Sequence, residues 1–114
     1  MMGSHVMIFT GLNELQRGLI ERSHLEAARG YVAKNGSELQ TQAQRNAPVD
    51  SGTLMRSIGL SIEDGGLTAK VEATAHYAGY VELGTRFMAA QPYMKPAFNN
   101  VKSRFNSDLR KLVK

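Results

Sequence analysis

The sequence contains no cysteine. That absence excludes a disulfide scaffold, a thiolate zinc site and a cysteine nucleophile, and it suits a reducing cytoplasm. No apolar run approaches the ~20 residues that a membrane helix needs. The opening "MMGSHVMIFTG" lacks the basic n-region and long apolar h-region of a signal peptide. The expectation is a chain made and kept in the cytoplasm, with no membrane partner. The only histidines are His5, His24 and His76, and none forms an HxxxH or HExxH pair, so helical metal-ligand spacing is missing. There is no GxGxxG, no Walker-type loop and no GxSxG elbow around a serine. "DGG" precedes no helix start, which makes it a turn rather than a phosphate cradle. Glu72 and Glu82 can be imagined as an acid–base pair, but nothing in the sequence brings them together or buries them. His76, beside aromatics at a strand end, reads as packed or solvated. The expectation is therefore not an enzyme: no catalytic residue, no cofactor and no metal.

What is present suits one small domain. A chain of 114 residues falls within the usual size of about 100–150, and 42% hydrophobic and 21% charged residues are ordinary values for a globular protein. The net charge of +4 is unevenly spread: the segment from Tyr93 onward carries +5 and the remainder −1. Lys102, Arg104, Arg110 and Lys111 are candidates to face DNA or an acidic surface. The favoured reading is the solvated face of a helix whose cations also suit its C-terminus.

Along the chain the pattern is helix, hairpin, aromatic loop, helix. Residues 1–11 form an N-terminal segment, and 12–114 the domain proper. "GSH" near the start reads equally as a cloning remnant or as native, so Met1 to His5 is set aside from fold reasoning. Leu12, Leu15 and Leu19 share one helical face, and Leu25, Ala28, Val32, Leu39 and Ala43 continue the apolar stripe. Gly36, with Ser37 and Gln40 at capping-box spacing, marks either a bend in one long helix or the junction of two. Pro48 ends the helical region. "NAPVDSG" is then a turn in which Asp50 accepts the backbone N–H of Gly52. In "SIGLSIEDGGLTAKVEATA", Ile58, Leu60 and Ile62, then Leu67, Ala69, Val71, Ala73 and Ala75, alternate with mostly polar residues around Asp-Gly-Gly. This predicts a hairpin with one apolar face. Two strands alone are marginal in water, so the helices must cover that face. A further strand must come from elsewhere, such as the aromatic loop or a neighbouring chain. Met94, Phe98, Val101, Phe105, Leu109 and Leu112 form the stripe of a C-terminal amphipathic helix. Arg104 with Asp108, and Asp108 with Lys111, have the spacing to pair across its exposed face. The fold class is α+β: a helical N-terminal half and a C-terminal amphipathic helix packed on a small antiparallel β-sheet.

The densest stretch is "HYAGYVELGTRFMAAQPYMKPAF", His76 to Phe98. Tyr77 and Tyr80 combine large apolar area with a polar end, a type enriched at interfaces. Gly84 permits a positive φ, so the chain can leave "YVEL" sharply. Pro92 presets the first turn of the last helix, and Pro96 falls near its start, where a missing N–H costs little. Val81 and Leu83 read equally as core and as interface. Phe87, Met88 and Tyr93 are expected at an interface, and Glu82 and Arg86 as polar contacts between subunits. The interface candidates are thus Tyr77, Tyr80, Glu82, Arg86, Phe87, Met88 and Tyr93.

Two pieces, "NAPVDSGTLMRSI" and "YAGYVELGTRFMAAQPYMKPAF", in this order around a hairpin, resemble the gene-product-ten-like head–tail joining and tail-completion proteins of long-tailed phages. Ser51 stands where threonine is usual, Gly79 where proline is usual, and Leu83 where an aromatic is usual. The resemblance covers nearly the whole chain from Leu12. It implies a structural virion-assembly protein, a neck or tail-completion component of a phage or prophage. It also implies self-association into a ring, a hexamer in the virion, through which DNA passes without sequence-specific binding. Head-completion and tail-tube or tail-terminator proteins would be its partners, with assembly in the bacterial host cytoplasm. Rings of this kind often need a neighbour as template, so a monomer in solution is compatible with this reading. The rival expectation is a small basic nucleic-acid-binding module.

Overall fold

A computed structural model describes residues 5–48 and 52–113. The expected Asp50–Gly52 turn and the Ser51 hydroxyl lie outside the described residues. Three strands, β1 (His5–Thr10), β2 (Ile58–Glu63) and β3 (Thr68–Ala73), form an antiparallel sheet in the order β1-β3-β2. The helices are α1 (Leu12–Gln16), α2 (Leu25–Asn46), α3 (Thr53–Ser57), α4 (Ala78–Leu83) and α5 (Met94–Arg110). The α+β reading holds, with the two long helices packed on each other and on one face of the sheet.

The predicted hairpin is β2–β3, with Ile58 opposite Ala73 and Leu60 opposite Val71. Its turn places Asp64, Gly65 and Gly66 all at positive φ, and the Asp64 carboxylate accepts the Thr68 hydroxyl at 2.6 Å. The third strand comes from the N-terminal segment that the sequence reading had set apart. β1 pairs with β3 from His5 opposite Ala73 to Thr10 opposite Thr68. Period-2 alternation sends Phe9 into the core, where its ring lies 5.0 Å from both Phe98 and Phe105. The same alternation leaves Val6 and Ile8 on the opposite face.

The N-terminal helical stripe is interrupted. Gly18, at φ 72°, closes α1 with Gly18 N–H donating to Leu15 O (3.0 Å) and Leu19 N–H to Glu14 O (2.8 Å). That is a Schellman ending, and α2 begins only at Leu25. Gly36 does not divide α2. It is buried against the sheet, where an added Cβ would come within 2.8 Å of the Ala69 Cβ, so the glycine permits close helix–sheet approach. Gln40, rather than capping a helix, reaches across to donate to Ile58 O at 3.1 Å.

Asp108 is not on the exposed face of α5. It is buried against α2, where Asn35 Nδ2 donates to its Oδ2 at 3.0 Å and to Tyr31 O at 2.8 Å. Lys111 pairs with Asp108 as expected (3.4 Å), but Arg104 reaches Glu38 on α2 instead (3.9 Å). The Asn35 hydrogen bond, aided by Lys34 and Lys111, holds the Asp108 carboxyl below its ordinary 3.8 against the opposing effect of burial. The folded state therefore favours the ionised form. This stabilisation is complete above the ordinary carboxylate value and fades as pH falls through the lowered one. In urea titrations from about pH 6 to about pH 2.5, the stability advantage of the wild-type chain over Asp108→Asn is expected to shrink only at the acid end of that range.

The molecule is elongated, 50 × 24 × 21 Å, with a radius of gyration of 15.4 Å against about 13 Å for a compact chain of this length. No helix among the described residues is long and apolar enough to cross a membrane.

Candidate interface site

The two sequence motifs meet in space. The first ends α2 at Asn46, and its Nδ2 donates to Tyr93 O at 3.3 Å. Pro48, Gly52 and Leu54 from this motif line a cleft with Tyr77, Val81, Met88 and Gln91 from the second. The cleft joins two segments that the β2–β3 hairpin separates in the chain, and it frames the loop between α4 and α5.

Glu82 organises this region. It is buried on α4. Its Oε1 accepts the N–H of Tyr93 (3.3 Å) and of Met94 (2.8 Å), and its Oε2 accepts that of Lys95 (3.1 Å). A helix leaves its first four N–H groups without intrahelical partners. In α5 these belong to Tyr93, Met94, Lys95 and position 96, which is Pro96 and has no N–H. One carboxylate and one proline thus account for all four, and the negative charge sits where the helix dipole favours it. Pro92 lies one residue ahead of the N-cap Tyr93, so Pro96, rather than Pro92, occupies the first turn.

Tyr93 is completely buried, and its hydroxyl donates to Ala78 O at 3.0 Å. Burial, then the Glu82 charge and Tyr77, push its pKa far above the ordinary tyrosine value, so the phenol remains a donor. These positions correct two expectations. Tyr93 offers no surface to a neighbour, and the Glu82 oxygens are engaged within the subunit. The sequence does carry a signal for Glu82: a carboxylate eleven residues before Tyr93, which heads a helix beginning Tyr-Met-Lys-Pro with no side-chain cap of its own.

From this base the chain projects a short hairpin. Gly84 is at φ 77°, and an added Cβ would lie 2.7 Å from the Ala90 nitrogen; here only glycine fits. Gly84 N–H donates to Tyr80 O (2.8 Å), Thr85 and Met88 exchange backbone hydrogen bonds (2.9 and 3.3 Å), and Gln91 N–H returns to Val81 O (2.8 Å). The Thr85 hydroxyl accepts the Phe87 N–H at 3.1 Å. At the tip, Phe87 is 86% exposed with the Arg86 guanidinium 5.0 Å above its ring. Leu83 is 61% exposed, and Tyr80 and Met88 are exposed beside it. Val81 packs on the core, and Tyr77 is half-buried with the His76 ring edge-on at 5.2 Å. The ambiguous pair therefore splits, Val81 inward and Leu83 outward.

No group of His, Asp and Glu among the described residues could hold a metal. His76 is exposed, and the Glu82 carboxylate is occupied by backbone N–H groups. Lys102, Arg104 and Arg110 on α5, and Lys111 at its C-cap, are exposed. Arg104 and Lys111 are ion-paired within the subunit, and Lys102 lies over the Phe98 ring at 5.9 Å.

A protein-family model described as "Bacteriophage HK97-gp10, putative tail-component" matches residues 13–84. The matched segment takes in the first motif, the β2–β3 hairpin and α4 through Gly84; the projecting hairpin and α5 follow it. No curated protein and no solved structure matches the chain.

Proposed function

The chain belongs to the bacteriophage HK97 gp10-like family of tail components, and on that premise we propose that it is a structural virion-assembly protein of the head–tail junction. In this reading it is a neck or tail-completion subunit with no catalytic role, made in the bacterial host cytoplasm and incorporated at the virion neck. It self-associates into a ring, a hexamer in the virion. It also contacts head-completion and tail-tube or tail-terminator proteins, and DNA passes through the ring without sequence-specific binding.

The observation that carries this reading is the concentration of exposed apolar side chains on one held scaffold. Tyr80, Leu83, Phe87 and Met88 lie within nine residues, on a helix and hairpin anchored by the Glu82 cap and the obligatory Gly84. Exposed apolar patches of this kind mark protein–protein contacts, and aromatic anchors dominate their energetics. Phe87→Ala is expected to leave thermal stability within about 0.5 kcal/mol of wild type while weakening assembly. The checks are sedimentation of the chain alone and complementation of a phage lacking the gene. Assembly unchanged by Phe87→Ala would remove the hairpin from the interface.

The basic-module alternative draws on Lys102 and Arg110, which have no ion-pair partner among the described residues. Fluorescence anisotropy with generic duplex DNA at two salt concentrations separates the readings. Tight binding by a monomer, lost at high salt, would favour the module.

A further inference from the structure

The face of the sheet turned away from α2 and α5 departs from what such a face usually carries. A solvated antiparallel face is normally polar, yet β1, an edge strand, places Val6 (42% exposed) and Ile8 (50%) side by side on it. Branched aliphatics exposed on an edge strand invite a partner. The register sets Val6 beside Glu72, with Gly59 on the far side of Glu72. Gly59 has no side chain, and an added Cβ there would meet nothing within 4 Å. A depression of about 330 Å³, lined by Gly59, Ser61, Lys70 and Glu72 among others, opens on this face.

The charge on this face is not balanced. Lys70 Nζ lies 3.7 Å from Glu63 and 4.0 Å from Glu72, one cation between two carboxylates, which leaves a net −1. The hairpin tip has the complementary composition. Phe87 is the most exposed large apolar side chain among the described residues, and Arg86 carries a cation with no carboxylate partner among them. The guanidinium already rests on the Phe87 ring, a geometry that joins the two side chains into one unit.

We infer that the Arg86–Phe87 tip of one copy docks on the outer sheet face of a second copy, with Phe87 against Val6 and Ile8 and Arg86 against Glu72. The inference rests on the self-assembly reading above and names the surface that receives the hairpin. The contact is heterologous, because tip and sheet face are different patches, and a heterologous contact repeated from copy to copy closes into a ring when its rotation permits. A guanidinium is suited to the task, since its planar fork can bond a carboxylate in bidentate fashion.

The absence of cysteine makes the contact directly testable. A chain carrying both Ile8→Cys and Phe87→Cys, oxidised mildly with diamide so that the disulfide traps a contact weakened by loss of the Phe87 ring, is expected to give a ladder of disulfide-linked multimers. Mass spectrometry should identify the linked peptides as position 8 to position 87. A mixture of the two single variants should give 8–87 dimers in excess of 8–8 and 87–87 dimers. In sedimentation, Arg86→Glu and Glu72→Arg should each weaken self-association at least tenfold, and the combined variant should recover most of it. Assembly of the double-cysteine chain without the 8–87 link, or with 87–87 links dominant, overturns this docking mode while leaving the ring reading intact. A chain that stays monomeric at every concentration and forms no 8–87 link overturns this docking mode, whereas the ring reading, which is compatible with a monomer in solution, falls only if particles carry the chain as single copies.

Discussion

Tyr93→Ala is expected to lower stability by about 3–5 kcal/mol, the range for deleting a large buried aromatic. Small domains are stable by only about 5–15 kcal/mol, so much of the population would unfold at moderate urea. The ring is completely buried where α4, α5 and the end of α2 converge. Its hydroxyl also donates to the Ala78 carbonyl. Tyr93→Phe isolates that second contribution. It keeps the ring and removes one hydrogen bond from a carbonyl that α4 also engages as a helical acceptor, for an expected loss of about 0.5–1.5 kcal/mol. Urea midpoints at constant slope, measured beside Phe87→Ala, give the decisive contrast. Should Tyr93→Ala prove as stable as Phe87→Ala, the ring is not core and the assignment of Tyr93 to the fold fails.

Glu82→Ala is expected to cost about 3 kcal/mol or more. Three backbone N–H groups at the head of α5 lose their acceptor together, and each unsatisfied buried group costs about 1–3 kcal/mol. The losses are not additive, because the first turn can fray and admit water. Glu82→Gln retains one acceptor oxygen but replaces the other with an N–H₂ donor facing donors, so about half the loss is expected. Amide exchange at Met94 and Lys95 should accelerate in Glu82→Gln before the rest of α5 responds, since local opening follows local stability. Uniform acceleration along α5 would show that the carboxylate is not acting as a cap. Assembly is expected to suffer even where the fold survives, because Gly84 and the hairpin start immediately after the capping helix.

Much of this was legible in the sequence because local rules sufficed. The alternation on either side of Asp-Gly-Gly fixed β2, β3 and their pairing face. The 3.6-residue stripe from Met94 placed α5, and the Gly84 turn followed from the need for positive φ. The failures were of another kind. β1 is not legible in the sequence because Val6 and Ile8 on its outer face make Val6–Phe9 a continuous apolar run, without the alternation that marks a half-buried strand. Asp108 was assigned to the exposed face because its neighbours at i−4 and i+3 are basic, and that spacing gives no hint of the Asn35 amide waiting on α2. Ile62 follows the core alternation but lies at the far end of β2, where it remains 45% exposed.

The amino-acid sequence by itself determined the fold class, the hairpin, the last helix and the resemblance to phage tail components, because each depends on periodicity or on residues close in the chain. Which of the crowded residues in "HYAGYVELGTRFMAAQPYMKPAF" face a neighbour was decided only in three dimensions. Tyr93 and Phe87 are both aromatics in one loop region, six residues apart. Glu82 carries the same charge as any surface carboxylate. Their roles separated when α4 packed against the head of α5. That contact buried Tyr93 and turned Glu82 into a helix cap, and the Gly84 turn carried Phe87 out into solvent. Burial is a property of elements brought together, and no single segment of the chain encodes it.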